Sequence, residues 1–484
     1  MGRVFIISNR VAVPDQKRGI QAGGLEVALR NTFSSHSSVW LGWSGEIRAQ
    51  EECQTRTIPR GSMTYIVSDL SDEDYKEYYS GFANQVLWPI LHYRLDLAEF
   101  TRRDLSGYLR VNEHFADEIT KVLEPDDVVW VHDYHLIPLA RALRARGHHN
   151  RIGFFLHIPL PPPEILTAMP NHERLLPALC DYDLVGFQTQ LDCANFARYL
   201  ASEIGIPARI PRSGRNSIGI GKMRIGVFAV GIETEEFARM AARAQDSNFL
   251  KRVLKSVPGE IVIGVDRLDY SKGLAQRLDA YQYFLASNPQ WRGKVTYLQI
   301  TPKSRSSIPE YAEIQTQINT KAGHINSSFG DVSWTPVRYT HQPYSRNALA
   351  GLYRAARVGL VTPLRDGMNL VAKEYVAAQD PDNPGVLILS RFAGAAAELD
   401  GALLVNPYDP ESVGSAIARA LALPHAERVA RQRALYASLK DSDINSWGQR
   451  FLRALTRRSG DSDRHRGRSA QTRAPATTAA HRSA

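Results

Sequence analysis

Residues 261–273, IVIGVDRLDYSKG, begin as an apolar run and then turn polar. The helix-like segment Ala275–Ala286 follows, and a second apolar run, Val295–Ile300, comes after it. Runs that are apolar on both faces are typical of parallel strands covered on both sides of a sheet. The stretch therefore predicts a strand–helix–strand unit, the building block of a doubly wound α/β fold.

The same alternation runs through both halves of the chain. Further strand-like runs are Val4–Ile7, Val128–Val131, Ile152–Leu156, Leu184–Phe187, Arg224–Val230, Val358–Val361, Val386–Leu389 and Ala402–Val405, and further helix-like segments are Ile308–Lys321, Leu370–Ala378 and Glu411–Ala422. A charged helical stretch, 233–255, separates the first series from the strand that starts at Ile261. We therefore expect an α/β protein with two doubly wound Rossmann-like domains, residues 1–232 and 233–455, that face a central cleft.

The composition indicates a folded, water-soluble protein. The chain has 484 residues, of which 43% are hydrophobic and 23% charged, as in globular proteins of two or three domains. No apolar stretch approaches the roughly 20 residues that cross a bilayer, and the first residues lack the apolar core of a signal peptide. The three cysteines, Cys53, Cys180 and Cys193, cannot form an even disulfide framework, which suits a reducing compartment. We expect a cytoplasmic location and no membrane partner.

The formal net charge of +9 is concentrated at the end of the chain. Residues 456–484 hold seven arginines and two aspartates, and so five of the nine net charges. This segment has no Phe, Trp or Tyr and no hydrophobic periodicity, so we expect a disordered basic tail. Because sites for single-stranded nucleic acids interleave cations with aromatic side chains, we expect no nucleic-acid partner.

Ligands of open α/β sheets bind outside the carboxyl ends of the strands, so the residues after each strand are the candidate site residues. In the first half these are Arg10, the glycine pair Gly23-Gly24 ahead of an apparent helix, Asp133 and His157. A Gly-Gly pair lets backbone N–H groups approach an anion, and an arginine fork suits phosphate. A simple turn, a surface ion pair or satisfied core polar groups also explain these features when each is taken alone.

In the second half, cations follow two strands. Arg267 and Lys272 stand five residues apart between a strand and a helix, a pattern typical of phosphate binding, and Lys303 and Arg305 repeat it after the next strand. Solvated surface charges remain the alternative interpretation.

Residues 362–374, TPLRDGMNLVAKE, end a strand in a glycine turn and start a helix near Leu370. Free N–H groups at that helix start can hold anionic oxygens, and Glu374 can accept hydrogen bonds from a diol such as ribose. Taken alone, Glu374 also fits an acid that stabilises its own helix dipole.

No metal site is expected. His132 and His135 have no third soft ligand nearby, and Asp380 and Asp382 stand in a turn rich in proline and asparagine. Five aromatic residues gather in the first ninety positions: Trp40, Trp43, Tyr78, Tyr79 and Trp88. They fit either stacking on a sugar face or core packing.

Several specific strings together resemble the trehalose-6-phosphate synthase family over about residues 1–455. They are SNR (8–10), Gly23-Gly24, WLGW (40–43), LWP (87–89), HDYHL (132–136), FFLHIPLPP (154–162), VDRLDYSKG (265–273) and TPLRDGMNLVAKEYVAAQ (362–379). The resemblance implies a GT-B glycosyltransferase, which joins glucose from a nucleotide sugar to glucose 6-phosphate with retention of configuration and forms α,α-trehalose 6-phosphate.

The resemblance also implies roles for individual residues. The acceptor would be held by Arg10, Trp43, Tyr79, Trp88, Asp133 and Arg305, with Trp40 competing for the place of Trp43. The donor would contact Gly23, Gly24, Arg267, Lys272, Tyr344, Leu370, Val371, Ala372, Lys373 and Glu374. The catalytic set would be Asp133, His157, Arg267, Lys272 and Asp366, with His157 near O6 of the transferred glucose and Asp366 near its other hydroxyls.

The chemistry that follows from the resemblance is front-face substitution through an oxocarbenium-like state. The leaving diphosphate departs toward Arg267 and Lys272 and takes the acceptor proton, without cofactor or metal. UDP-glucose is the first candidate donor, with ADP- and GDP-glucose left open, and the family implies a homo-oligomer, a dimer or tetramer. We also expect a hinge near Gly231 to Glu235 that closes the cleft.

Two other functions remain open from the sequence. A related transferase could use another acceptor, such as glycerol 3-phosphate or a cyclitol, although Arg10, Tyr79 and Arg305 together favour glucose 6-phosphate. A catalytically silent sensor could keep the fold and bind sugar phosphates without turnover.

Overall fold

The computed structural model describes residues 2–11, 13, 37–207, 217–220, 222–302 and 309–457. Its strands are β1 Val4–Arg10, β2 Ser38–Arg48, β3 Thr55–Arg60, β4 Met63–Ser71, β5 Val128–His132, β6 Arg151–Phe155, β7 Leu184–Phe187, β8 Ser217–Ile220, β9 Met223–Val227, β10 Glu260–Val265, β11 Val295–Ile300, β12 Val337–Thr340, β13 Val358–Val361, β14 Val386–Ser390 and β15 Leu403–Val405. They form two sheets with strand orders β3-β4-β2-β1-β5-β6-β7-β9-β8 and β12-β11-β10-β13-β14-β15. The second sheet is wholly parallel, and in the first only the edge strands β3 and β8 pair antiparallel.

Helices cover both sheets. Those of the first half are the continuous run Asp72–Asp74, Tyr75–Leu87 and Trp88–Leu91, then Arg102–Thr120, Leu139–Ala145, Pro163–Leu166, His172–Leu175 and Gln190–Glu203. Those of the second half are Thr234–Ala244, Asn248–Ser256, Leu274–Ser287, Pro309–Phe329, Arg346–Ala355, Leu370–Ala378, Pro410–Ala422, His425–Asp441 and Ile444–Thr456. Within the described ranges, none of these helices is both long enough and apolar enough to span a membrane.

Two α/β units with doubly wound sheets confirm the predicted fold class. Every predicted strand is present, and the predicted helix Leu370–Ala378 has those bounds. The predicted 233–255 helical stretch is two helices, Thr234–Ala244 and Asn248–Ser256, separated by a turn. Strands β2, β3, β4, β8 and β12 were not predicted, because glycines and polar residues interrupt their apolar pattern. Of these, β3, β8 and β12 are edge strands.

The last described helix, Ile444–Thr456, crosses back to the first sheet. Phe451 stacks on Trp130 of β5, with ring centroids 4.5 Å apart. A Cβ atom at Gly153 or Gly186 would lie 2.7 Å from the Phe451 ring, so the sheet accepts this helix only because both positions lack a side chain. The segment predicted as the second domain thus includes a helix that packs on the first sheet. Residues 458–484 of the predicted tail lie outside the described residues.

Two chain segments run side by side between the sheets, at the predicted hinge. The backbone N–H of Ile444 donates to the carbonyl of Ile232 over 3.2 Å. A Cβ at Gly231 would lie 2.0 Å from the carbonyl oxygen of Ser442, so this close approach requires glycine. The connection between the two halves is therefore a pair of crossing segments rather than one strand of chain.

Candidate active site

The carboxyl ends of the strands in the two sheets face each other at the predicted cleft. A Cβ at Gly367, in the loop after β13, would lie 2.1 Å from the carbonyl oxygen of His157, which follows β6. The Arg267 guanidinium, after β10, lies over the ring of Trp88 at 5.9 Å from its centroid. Residues of the predicted donor side thus contact residues of the predicted acceptor side.

The loop 266–273 is anchored from below by a buried ion pair. Arg277 and Asp266 are both buried, and their charged atoms lie 2.7 Å apart. Arg277 also donates to the hydroxyl of Thr362 over 3.0 Å, which ties this loop to the one after β13. Gly273 turns the chain into the helix Leu274–Ser287 at a φ of 65°. The result is a fixed platform for Arg267 and Lys272.

Lys272 and Asp366 form an ion pair that joins the two predicted donor loops. Asn369 donates its amide to the same carboxylate over 3.0 Å. Asn369 has a φ of 70°, and its side-chain oxygen accepts the N–H of Ala372, which caps the helix Leu370–Ala378. The first N–H groups of this helix, at Leu370 and Val371, have no partner within a helix and suit an anionic ligand.

Glu374 lies one turn further along that helix. Its burial raises the pKa of the carboxyl group to about 7, and the nearby charge of Arg346 opposes that rise. Arg346 also pairs with Glu233 over 2.8 Å. The neighbouring Lys373 points elsewhere: its ammonium group is fully buried and donates to the carbonyl of Val230 over 2.8 Å.

The contacts of Lys373 therefore place its side chain against the connection between the two halves, where Glu398 pairs with it. Burial lowers the pKa of this ammonium group. Lys373 is one of the predicted donor residues, but with its side chain buried it could contact a ligand only through its backbone. Tyr344 packs on Phe249, with ring centroids 5.6 Å apart, and its predicted contact with the nucleotide stays a prediction.

Aromatic rings form the acceptor side. Trp43 and Tyr79 have centroids 5.6 Å apart, and the Arg10 guanidinium lies 5.7 Å from the Trp43 ring. Tyr75 stacks on Tyr79 with ring centroids 5.5 Å apart, and His135 stacks on the same Tyr79 ring at 5.9 Å. The structure thus brings together three of the predicted acceptor residues and adds Tyr75 and His135, which the sequence analysis did not assign to the acceptor.

The structure separates Trp43 from its competitor Trp40. The two residues are an odd number of positions apart on β2, so their side chains point to opposite faces of the sheet. Trp40 is buried, donates to the Ser8 hydroxyl over 2.8 Å and stacks on Tyr65. Tyr78 is fully buried and donates to the side chain of Asn9 over 2.9 Å. Trp40 and Tyr78 therefore belong to the core.

Asp133 adopts a strained backbone conformation at the end of β5, with φ 75° and ψ 167°. This region is essentially reserved for glycine, and strain of this kind, of order 1–3 kcal/mol, clusters at functional sites. The carboxylate of Asp133 accepts the backbone N–H of His157 over 3.2 Å. The predicted residues of β5 and β6 are thus held together, and burial lowers the pKa of His157 to about 3.

Four residues that the sequence singled out, Gly23, Gly24, Lys303 and Arg305, lie outside the described residues. Asn369 and Arg346 are site residues that the sequence analysis missed. Asn369 stands inside the quoted motif 362–379, and its place directly before a helix was the available signal. No sequence pattern marks Arg346 as a site residue, because its proximity to Glu374 depends on the packing of two helices.

Metal ligands do not gather in the described ranges, which contain no group of three or more His, Cys, Asp or Glu side chains able to hold an ion. His132 points into the core, and His135 stacks on Tyr79. The three cysteines are free thiols.

Comparisons with known proteins agree with the geometry. Residues 7–457 match the model of "Glycosyltransferase family 20". A trehalose-6-phosphate synthase of Sinorhizobium fredii is 52% identical over 459 residues, which cover 94% of this chain and 98% of the relative. One from an Enterobacter species is 48% identical over 460 residues, with coverage of 94% and 96%.

Solved structures are equally similar. An α,α-trehalose-phosphate synthase (UDP-forming) from Burkholderia xenovorans, in complex with glucose-6-phosphate, superposes with a TM-score of 0.90 at 45% identity and covers 94% of this chain and all of that one. An E. coli structure bound with UDP-2-fluoro glucose gives a TM-score of 0.85 at 45% identity, with coverage of 94% and 99%. The chain therefore belongs to glycosyltransferase family 20, the trehalose-6-phosphate synthases.

Proposed function

We propose that the chain transfers glucose from UDP-glucose to glucose 6-phosphate with retention of configuration and so forms α,α-trehalose 6-phosphate and UDP. The observation that carries this proposal is the contact of Arg267 with Trp88 across the cleft. It brings the cation expected at the donor diphosphate against a ring expected at the acceptor sugar. A transferase needs this proximity, because its two substrates must meet with reacting atoms about 3–3.5 Å apart.

The donor side suits a leaving diphosphate. Arg267 is exposed in the cleft, and Lys272 lies on the same anchored loop. Negative charge builds on the diphosphate as the sugar bond breaks, and fixed cations stabilise that charge without reorganising. The capped N-terminus of the helix Leu370–Ala378 adds N–H groups of the same polarity.

The acceptor side suits a sugar phosphate. Arg10 offers a guanidinium fork for the phosphate, and Trp43 and Tyr79 offer ring faces for the sugar. The neutral acceptors of related transferases would leave Arg10 without a counter-charge, which favours a phosphorylated acceptor.

The acceptor proton needs a base, and the described cleft supports the departing phosphate in that role. Burial lowers the pKa of His157 to about 3, so its ring is neutral in the cleft and is a weak general base. Asp133 already accepts the N–H of His157. We therefore assign the proton to the diphosphate oxygen that leaves on the same face, a route that needs no metal ion.

The known ligands and products of related proteins support the choice of substrates. The Burkholderia xenovorans synthase is described as UDP-forming and holds glucose-6-phosphate. A further synthase structure, 45% identical, concerns glycosyl transfer with retention. These properties belong to the relatives, and we extend them to this chain on the strength of the shared cleft residues.

The test is nucleoside diphosphate release by the purified protein. UDP-, ADP- and GDP-glucose are each offered with glucose 6-phosphate, glycerol 3-phosphate or no acceptor, and the product is identified by mass spectrometry. We expect release that depends on glucose 6-phosphate, is fastest with UDP-glucose, and yields a phosphorylated disaccharide. Release with glycerol 3-phosphate alone would favour the related transferase. Binding of both ligands without any release would favour the silent sensor.

We further propose that the two halves close over the substrates about the crossing segments at Gly231 and Ser442. Closure would exclude water and limit hydrolysis of the donor. Arg365, beside Asp366, lies 4.0 Å from the ring centroid of Tyr93 of the other half, a contact that an opened cleft would break. Small-angle scattering should show a smaller radius of gyration with UDP and glucose 6-phosphate bound, and unchanged dimensions would contradict closure.

A further inference from the structure

His132, the last residue of β5, contacts the cleft histidine from behind. Its Nδ1 atom lies 3.0 Å from Nε2 of His157, and the two rings stack with centroids 5.3 Å apart. His132 itself is fully buried. It therefore touches no substrate, and its contact with His157 is its direct connection to the cleft.

Both rings are neutral. Burial lowers the pKa of His132 well below its usual value and that of His157 to about 3. In a neutral pair one ring nitrogen donates and the other accepts, so the contact fixes a tautomer as well as an orientation. Within the described part of the chain, the second nitrogen of His157, Nδ1, has no hydrogen-bond partner. That atom is available to a ligand.

The remaining surroundings of His132 are aromatic. Trp130 lies 4.6 Å and Trp447 6.3 Å from it, measured between ring centroids, and Trp447 lies 6.1 Å from His157. In the described ranges, Nε2 of His132 is buried without a partner. An unpaired buried polar atom costs free energy of folding. A histidine at this position therefore lowers stability relative to an apolar side chain, which points to a role other than core packing.

We propose that His132 is a positioning residue, which holds the His157 imidazole so that Nδ1 faces the glucosyl group of the donor. This inference rests on the proposed function for the identity of that group. Trp447 belongs to the crossing helix Ile444–Thr456 and lies 6.1 Å from the His157 ring, so this helix forms part of the back wall of the proposed donor-sugar site.

The test uses three substitutions of His132. An Asn amide places a polar atom near the Nδ1 position and can either donate or accept, whereas a Gln amide places it near Nε2 and Leu has none. We expect His132→Asn to keep kcat/KM for UDP-glucose within about threefold, and His132→Gln and His132→Leu to lower it at least about twentyfold. Equal losses in the Asn and Gln variants would overturn the proposal.

A positioning role also predicts the pattern of the losses. Affinity for UDP, which lacks the sugar, should stay unchanged in the Gln variant, and the preference for UDP-glucose over UDP-6-deoxyglucose should fall at least about fivefold. In a His157→Ala background, His132→Gln should have no further effect, because it acts through the missing ring. Additive losses would show that His132 acts independently.

Two controls separate the proposal from its premise. Val131→Ala alters the opposite face of β5 and should lower stability without changing donor discrimination. In protein labelled with 15N-histidine, His132→Asn and His132→Gln should shift the imidazole nitrogen signals of His157 differently. A wild-type protein without transferase activity would contradict the proposed function, while this spectrum would still decide whether the two rings are bonded. Unshifted His157 signals in the Gln variant would overturn the positioning role.

Discussion

The two walls of the cleft, which face the donor and the acceptor, consist of different kinds of side chain. The donor wall consists of charged groups held by one another, as in the pairs Arg277–Asp266 and Lys272–Asp366. The acceptor wall consists of stacked rings, with Trp43 and Tyr79 at its centre and Arg10 beside them. Each wall lies at the carboxyl ends of parallel strands, so topology does not explain the difference.

The reaction explains it. Charge on the donor diphosphate changes as the sugar bond breaks, and preorganised charges lower the barrier only if they are fixed beforehand. Charge on the acceptor phosphate does not change during the reaction. The acceptor therefore only has to be held and oriented, and the rings of Trp43 and Tyr79 with the guanidinium of Arg10 can do this. Substitutions on the donor wall should therefore lower kcat, and those on the acceptor wall should mainly raise KM.

The largest effect is expected from Arg267→Ala. Removing this cation leaves the departing diphosphate without its exposed counter-charge, so kcat should fall at least about a hundredfold, or about 2.7 kcal/mol, while the fold is kept. Steady-state kinetics and thermal unfolding measure the two properties. The matched control is Arg292→Ala, which removes an exposed arginine lying 5.1 Å from the Phe329 ring, away from the cleft. Near-normal turnover by Arg267→Ala would contradict the donor role.

Arg10→Ala should produce the opposite pattern. A charge-assisted hydrogen bond to phosphate is worth roughly 1.5–3 kcal/mol, so KM for glucose 6-phosphate should rise roughly thirtyfold while kcat changes little. Activity with unphosphorylated glucose should not change. Arg60→Ala, at the exposed end of β3, is the control. An equal loss with glucose and glucose 6-phosphate would show that Arg10 does not recognise the phosphate.

The residues that line the cleft could be predicted from the sequence better than the buried residues that hold them in place. Arg267, Lys272, Asp366 and His157 follow strands whose apolar pattern is clear, so their common edge could be inferred from topology alone. The partners beneath them could not, because Lys373 and Arg277 are cations in the positions of core residues, and no periodicity distinguishes a buried cation from an exposed one.

Backbone strain was equally invisible in the sequence. The positive φ angles of Asp133 and Asn369 are imposed by tertiary packing, since aspartate and asparagine do not by themselves require them. The crossing of the helix Ile444–Thr456 also could not be predicted, because its apolar face fits either sheet. Only the glycines at 153 and 186 mark where it packs, and glycine in a strand has several explanations.

Glu374 on the donor wall should make the affinity for UDP-glucose depend on pH. Burial raises the pKa of its carboxyl to about 7 in the free protein, and ribose hydroxyls donating to the carboxylate would favour the ionised form. UDP-glucose affinity should therefore increase roughly tenfold from about pH 5.5 to pH 7.5 and then level off. Glu374→Gln should bind more weakly at high pH and lose this dependence. Calorimetric titration of both proteins measures it, and identical pH profiles would contradict contact with the donor.

A smaller effect, on stability, is expected at the connection between the walls. Gly231→Ala inserts a methyl group where the Ser442 carbonyl oxygen would be 2.0 Å away, so the crossing segments must separate. We expect the free energy of unfolding to fall by roughly 1–3 kcal/mol in denaturant titrations. Gly323→Ala, a helical position with nothing within 4 Å of the added atom, should be neutral or slightly stabilising. Equal stability of the two variants would show that the crossing segments are loosely packed.

No effect is expected from removing metal ions. If the cations of the donor wall supply all the positive charge at the diphosphate, treatment with EDTA should leave kcat and KM unchanged. Restoration of lost activity by Mg²⁺ or Mn²⁺ would show that the wall is incomplete without an ion.

The central claim is that the two walls join two glucose units without inverting the donor carbon. Proton NMR of a running reaction with UDP-glucose and glucose 6-phosphate tests it directly, because the anomeric signals report both the new bond and its configuration. We predict a phosphorylated disaccharide in which both anomeric protons have α couplings, formed in step with UDP. A β-linked product, or UDP released together with free glucose, would contradict the account.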